Sequence, residues 1–371
     1  MRSLVIFGAH GAVHPDAADL PEVCVDGVVV RCGVVNTTDD VFDLTAEGRR
    51  GDVVVRVRAV SCNFRDRAIF GFAAGVPGTQ ALPLGSDFVA EVIAVGRDVR
   101  RLRIGDRVVP NHHYTGGAEP PVGTHEGIAT VHASTELMAL GEHHLLPVPA
   151  SMPDAVAASF SVPAQTVYGM LRRLEMRRGA TVLVTGGSSN TGLLALEALR
   201  RYDATVVCTC TGADRARRLE ELGVGRVVRV DADRGADRFA DLVQAAREVR
   251  GFDFVIDQYF DLYGEIGCTL LRGGGRYITC GLAGSLGRAF AGGPQRADST
   301  AAMALAVRKN LSLMGHCLGR TEDLVGAIED YAAGLLRVQV DSVFDDDHAL
   351  EFVERSFNSP ARFGKAVLAY T

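Results

Sequence analysis

Lysine is nearly missing from this chain. It occurs twice, as Lys309 and Lys365, against 39 lysine and arginine residues together. Such arginine bias reads as the mark of a GC-rich genome and carries no mechanism. Positive charge is not in excess either. The formal net charge is -6, which argues against a nucleic-acid partner. No apolar run approaches the roughly 20 residues that cross a bilayer, so no membrane partner is expected. The opening Met1-Arg2, then Leu4 to Phe7, is too short for a signal peptide and lacks a cleavage pattern. It reads as a first strand. The 8 cysteines form no CxxC pair. Cys208 and Cys210 flank Thr209 in an expected buried strand, where they share one face as small apolar fillers. Without an export signal, the expectation is free thiols in a cytoplasm. No internal repeat and no low-complexity linker is evident.

What is present centres on Thr181 to Tyr202. A β-branched run, Val182-Leu183-Val184, leads into Gly186-Gly187-Ser188-Ser189-Asn190-Thr191-Gly192. A helical stripe follows, with Leu193, Leu196 and Leu199 on one side. Strand, small-residue turn and helix are the parts of a phosphate cradle. Glycine permits a tight turn and close backbone approach, and the helix N-terminus points unpaired N–H groups at an anion. Gly186, Ser188, Ser189, Asn190, Thr191 and Gly192 are therefore cofactor-binding candidates.

A length of 371 residues, 47% of them hydrophobic, suits two domains with ample core. Residues 1 to 50 carry short β-type runs such as Val28-Val29-Val30. Asp52 to Val60 alternates apolar and charged residues, as a half-buried strand does. Phe88 to Val95 and Val108-Val109 read as further strands. Residues 110 to 127 form a loop rich in Pro, Gly and His. Near residue 151 the pattern changes. Asp154 opens a helix, and Ala155 to Met170 is small and apolar, as in a tightly packed helix pair. Strands are expected at Ala204 to Thr209, Arg226 to Val230, Asp253 to Asp257 and Arg276 to Cys280. Helices are expected at Asp214 to Leu222, Ala236 to Val249 and Asp261 to Leu271. This alternation specifies a doubly wound parallel sheet. Asn310 to Gly315 adds a last strand. Thr321 to Leu336 reads as a helix, and the remainder returns to β-like runs around one helix, Ala349 to Phe357.

Several segments together resemble the medium-chain dehydrogenase/reductase superfamily. They are Asn63-Phe64-Arg65-Asp66, Gly85-Ser86-Asp87-Phe88, Ile104-Gly105-Asp106-Arg107-Val108, Val184-Thr185-Gly186, Gly273-Gly274-Gly275-Arg276 and Phe363-Gly364-Lys365-Ala366-Val367-Leu368. The resemblance implies an α/β fold: a GroES-like β-rich catalytic domain built from both chain ends, and a Rossmann domain between them. The expected division is 1–159 and 317–371 for the catalytic domain and 160–316 for the NADP-binding domain. The branch that looks most similar is the zinc-free quinone oxidoreductase and enoyl reductase group. Zinc members place a cysteine after the first strand and a Gly-His-Glu segment. The matching positions here hold Asn63 and Gly85-Ser86-Asp87, so no metal is expected. By the same resemblance, Asn63 faces substrate and nicotinamide, Thr166 lies near the nicotinamide, and Cys280-Gly281 offers backbone groups to its carboxamide. A homodimer is also implied.

The second Rossmann strand ends Thr209-Cys210-Thr211-Gly212, without the acid that usually meets the ribose of NAD. Thr209, Thr211 and Arg215 suit a 2′-phosphate instead, because guanidinium pairs with phosphate by fork geometry. NADPH is the expected cofactor. The expected reaction is hydride transfer to an activated C=C bond or a quinone, on a small molecule. Some enoyl reductases of this group use a tyrosine as proton donor, but Phe64 and Phe72 stand in those stretches. Water, His112, His113, Tyr114 or His125 are the alternatives, with His113 and Tyr114 taken as catalytic candidates. Two other readings stay open: a carbonyl reductase or alcohol dehydrogenase with metal at the loop histidines, and a non-catalytic nucleotide-binding protein.

Overall fold

The computed structural model describes residues 1–36, 42–112, 132–231, 237–282 and 298–370. Two compact units share the chain. One comprises Met1–Val162, Arg320–Ala332 and Val340–Thr371; the other comprises Pro163–Gly319 and Ala333–Gln339. Among the described residues, no helix is long and apolar enough to cross a membrane.

The first unit opens with β1 (Arg2–Phe7), β2 (Glu22–Val25), β3 (Val28–Asn36), β4 (Asp52–Ser61) and α1 (Arg67–Ala73). It continues through β5 (Ala81–Pro83), β6 (Asp87–Val95), β7 (Arg107–Pro110), β8 (Leu137–Gly141), β9 (Leu145–Pro147) and α2 (Asp154–Ala157). In β4, Val53, Val55 and Val57 are buried while Arg56 and Arg58 are exposed, the outcome its alternation dictates. β4 pairs antiparallel with β6 and β8.

In the second unit, α3 (Ser161–Leu174) leads to β10 (Thr181–Val184), α4 (Asn190–Leu199), β11 (Thr205–Cys210), α5 (Ala213–Glu221) and β12 (Arg226–Arg229). Then come α6 (Ala240–Glu248), β13 (Phe252–Asp257), α7 (Phe260–Leu270), β14 (Leu271–Thr279), α8 (Ser299–Lys309) and β15 (Ser312–Gly315). The strands pair in parallel in the order β12-β11-β10-β13-β14-β15. β10 is buried along its whole length, as expected of a parallel strand covered by helices on both faces. Its core joins Leu183, Val207, Phe252, Val255 and Tyr277.

The chain then returns to the first unit with α9 (Thr321–Ala332), β16 (Val340–Phe344), α10 (Ala349–Phe357) and β17 (Lys365–Ala369). β17 pairs with β4. Phe352 and Leu368 share one core with Val55, Phe70 and Phe88, so both chain ends build one β-rich body. The mixed α/β class matches the expectation. One sheet was not legible in advance: β2-β3-β1-β5 forms a separate four-stranded layer. The helix expected over Thr321 to Leu336 stops at Ala332, where Gly334 adopts a positive φ of 72°.

Candidate functional site

The first assembly lies in the parallel-sheet unit. Val184 of β10 is level with Cys208 of β11 and Ile256 of β13. The residues that follow these strands therefore meet at one edge of the sheet. Gly186 turns there with φ +56°. Its N–H donates to Thr209 Oγ1 at 3.1 Å, and Gly187 N–H donates to the Thr209 carbonyl at 2.7 Å. Ser189 caps α4: its Oγ accepts from Gly192 N at 3.0 Å. A side chain at Gly192 would place Cβ 2.3 Å from the Gly186 carbonyl, so only glycine lets the helix seat against the turn. At Gly186 a Cβ would stand 2.8 Å from the Tyr259 ring and 2.9 Å from Gln258 Oε1.

These residues fit a dinucleotide. The turn is tight, Ser189 caps the helix N-terminus beyond it, and Ser188, Ser189, Asn190 and Thr191 are half-buried at its mouth. Gln258 Nε2 is buried beside the turn, with no hydrogen-bond partner among the described residues. Asp257, under the same edge, accepts from Thr185 Oγ1 and from Tyr259 N. Burial pushes its carboxyl up to about 6 against those hydrogen bonds.

At the end of β11 the structure separates the sequence-named residues. Thr209 is fully buried, and its hydroxyl reaches Gly186 N and, at 3.4 Å, Tyr263 Oη. It supports the turn from below. Thr211 is exposed and accepts from Arg215 Nη1 at 3.1 Å. Arg215 Nε is buried without a partner, and no carboxylate pairs with this guanidinium among the described residues. Asp214, next to it, pairs instead with Arg217. Arg229 pairs with Asp231, which also accepts from Gly212 N at 2.8 Å. Thr166 is buried within α3. Cys280 N donates to the Asp257 carbonyl at 3.0 Å, and Gly281 O accepts from Phe260 N at 3.1 Å. A Cβ at Gly281 would lie 2.7 Å from the Gln258 carbonyl.

The second assembly lies in the β-rich unit. Asn63 ends β4 and opens a short turn whose Asp66 carboxylate accepts from Asn63 N at 2.6 Å. Asn63 Nδ2 donates to Ser86 Oγ and to Asp87 Oδ2, each at 2.9 Å. Ser86 Oγ donates on to Asp66 Oδ2 at 2.9 Å. Asp87 also accepts from Val162 N at 2.8 Å, lies 3.6 Å from His112 Nε2, and forms an ion pair with Lys365. Both amide hydrogens of Asn63 are thus engaged inside the protein. Burial alone would raise the Asp87 carboxyl, but Lys365 and His112 hold it well below the ordinary carboxylate range. Burial pushes Asp66 up to about 6, opposed by Asn63 N–H and the Ser86 hydroxyl. Burial lowers the His112 imidazole and raises the Cys62 thiol well above its ordinary value.

Asn63, Ser86 and Asp87 are brought together. Asn63 and Thr166 belong to different units. His113, Tyr114 and His125 lie outside the described residues. Among the described residues, no cluster of three or more His, Cys, Asp or Glu side chains has the arrangement to hold a metal ion. Gln258, Tyr259 and Lys365 were not singled out as site residues from sequence. The available signals were their places: two directly after β13, and one of the chain's two lysines on β17.

Residues 49–150 match the alcohol dehydrogenase GroES-like domain. A phenolphthiocerol synthesis polyketide synthase type I of Mycobacterium bovis is 28% identical over 244 residues, covering 64% of this chain and 10% of that protein. A quinone oxidoreductase of Pseudomonas aeruginosa is 28% identical over 205 residues, covering 54% of this chain and 57% of that protein. This chain thus spans about a tenth of the polyketide synthase and little over half of the quinone oxidoreductase. A solved NAD-dependent alcohol dehydrogenase has the same fold, with a TM-score of 0.75 at 23% identity over 100% of this chain and 99% of the other. Residues 49–150 thus match a GroES-like domain within the β-rich unit, and the chain is similar to a quinone oxidoreductase in sequence and to a solved alcohol dehydrogenase in fold.

Proposed function

We propose that the protein is an NADPH-dependent, zinc-independent oxidoreductase that reduces an activated C=C bond, in an α,β-unsaturated carbonyl or enoyl thioester, or a quinone. The pairing of Asp87 with Lys365 carries this reading. In zinc members of the superfamily the matching segment supplies metal ligands. Here the donor set is Asn63, Ser86 and a carboxylate already neutralised by an ammonium group. Such a set is poor for zinc, which favours Cys, His and free carboxylate. Alcohol oxidation then lacks its Lewis acid, whereas reduction of an already polarised double bond needs less help.

When bound, NADPH supplies the hydride. The chain's own residues bind and orient. Gly186, Ser188, Ser189, Asn190, Thr191 and Gly192 form the cradle for the diphosphate, and Thr211 with Arg215 receives the 2′-phosphate. The unpartnered Arg215 Nε supports that last assignment, since a cation without a carboxylate suits an anion from outside. Cys280 and Gly281 present backbone groups, and Asn63 and Thr166 are the proposed catalytic residues of their respective units. His113 and Tyr114 are the proposed proton donors. The similarity to a polyketide synthase and to a quinone oxidoreductase supports a substrate of those chemical classes. A cytoplasmic homodimer belongs to the same reading, and the exposed edge strand β15 supports it.

The test is a panel of enones, quinones and enoyl thioesters, with oxidation of NADPH and NADH followed separately and zinc content measured. Turnover with NADPH and no stoichiometric zinc is expected. Stoichiometric zinc, or no oxidation of either nucleotide with any acceptor, rejects the proposal.

A further inference from the structure

Gln258 sits where the sheet changes direction. In the order β12-β11-β10-β13-β14-β15, the connections leave β10 toward one side and β13 toward the other. Ligands of open parallel sheets bind in the crevice beyond the carboxyl ends of two such strands. Gly186 follows β10 and Gln258 follows β13, so the two face each other across that crevice. The contact is direct: a Cβ on Gly186 would stand 2.9 Å from Gln258 Oε1.

The amide is oriented by its neighbours. Ser189 Oγ accepts from Gly192 N at 3.0 Å and donates to Gln258 Oε1 at 3.3 Å. The carbonyl edge of the amide is thereby taken, and the N–H edge is left over. Backbone contacts hold the residue as well. Gln258 N donates to Thr185 Oγ1 at 3.4 Å, and Gly281 packs against the Gln258 carbonyl. The residue is 7% exposed, and Nε2 has no partner among the described residues. A buried amide donor left without an acceptor is costly, and native proteins keep few of them. An acceptor arriving with a ligand resolves that cost.

We propose that Gln258 is a dinucleotide-binding residue whose Nε2 donates to an oxygen of the nicotinamide-side phosphate or ribose of the bound cofactor, with Ser189 as the residue that aims it. The proposal rests on the nicotinamide-cofactor reading above and adds to it a side-chain donor opposite the glycine turn.

Binding of NADPH, NADH and 2′,5′-ADP to the full chain, and to Gln258→Met and Gln258→Glu, tests it. Methionine keeps the volume and removes the donor; glutamate keeps an acceptor for Ser189 and replaces the donor by charge. Gln258→Met should weaken binding of the preferred dinucleotide about tenfold, and Gln258→Glu should weaken it further. Binding of 2′,5′-ADP, which lacks the diphosphate bridge, should be unchanged, and the melting temperature of the free Gln258→Met protein should not fall. Dinucleotide binding within about twofold of the parent in both variants overturns the role of Gln258 and leaves the cofactor reading standing. Loss of 2′,5′-ADP binding or a lowered melting temperature makes Gln258 a structural prop and also overturns it. If the parent chain binds neither NADPH nor NADH, the cofactor reading and this proposal fall together.

Discussion

Lys365 and Asp87 form an ion pair with 2% and 0% side-chain exposure, in the β-rich unit. Lys365 opens β17 and Asp87 opens β6, so the pair ties the C-terminal strand to the segment that includes Asn63 and Ser86. A charge in such a place is tolerated only with its partner. Lys365→Met should destabilise the protein by about 3–5 kcal/mol, because it leaves a buried carboxylate uncompensated. The double variant Lys365→Met with Asp87→Asn should recover much of that loss. Urea unfolding of the two single variants and the double variant measures the coupling; additive losses would show that the pair does not act as a unit.

Arg215, in α5 just after β11, and Arg229, at the end of the neighbouring β12, differ in their partners: among the described residues only Arg229 has a carboxylate, Asp231. That asymmetry predicts which arginine selects the cofactor. Arg215→Ala should weaken NADPH binding about 10- to 100-fold, the worth of a charge-assisted contact, and should change NADH binding little. Calorimetric titration with each nucleotide checks this. Equal losses for both would place Arg215 outside any 2′-phosphate site.

Much of the parallel-sheet unit was legible because its signals are local. The buried β-branched runs, the glycine turn and the amphipathic α5, with Ala216 and Leu219 inward, each stand alone in the sequence. The side-chain partners were not legible, because they are long-range. Asp87 and Lys365 are separated by 278 positions, and Ser189 and Gln258 by 69. Thr209 illustrates the same limit. A hydroxyl at a strand end reads as a ligand contact, but the parallel register turns it inward to Gly186 and Tyr263. The separate β2-β3-β1-β5 layer was missed because its pairings depend on which short strands meet, not on the pattern within each.

Gly192 is constrained by rigid backbone rather than by a movable side chain. Its Cβ would lie 2.3 Å from the Gly186 carbonyl and 2.9 Å from Gly187 Cα. Gly192→Ala should therefore push α4 off the turn, destabilise the protein by about 1–3 kcal/mol and weaken dinucleotide binding. Gly212→Ala is the useful contrast: φ there is +77°, but nothing lies within 4 Å of the new Cβ. It should cost conformational strain of about 1 kcal/mol without displacing α4. Thermal melts and nucleotide titrations of both variants distinguish packing from strain; similar losses of binding in the two would contradict the packing account.

Asp66 and Asp257 give stability an inverted pH dependence. Burial raises each carboxyl from 3.8 to about 6 in the folded chain. Between those values the native state holds more protons than the unfolded chain, so stability falls as pH rises across that window. Each group contributes on the order of 3 kcal/mol in full below the unfolded value, and that contribution is lost above about pH 6. Asp87 acts in the opposite sense. Its folded value lies below the unfolded one, so its contribution is present above the unfolded value and is lost as pH falls through the folded one. The Asp66→Asn variant retains an oxygen to accept from Asn63 N and Ser86 Oγ and cannot ionise. It should therefore remove about half of the fall in stability between pH 4 and pH 6, leaving the share of Asp257. Urea unfolding free energies of the parent and the variant at several pH values test this. An unchanged slope would mean that Asp66 ionises in the folded state as readily as in the unfolded chain.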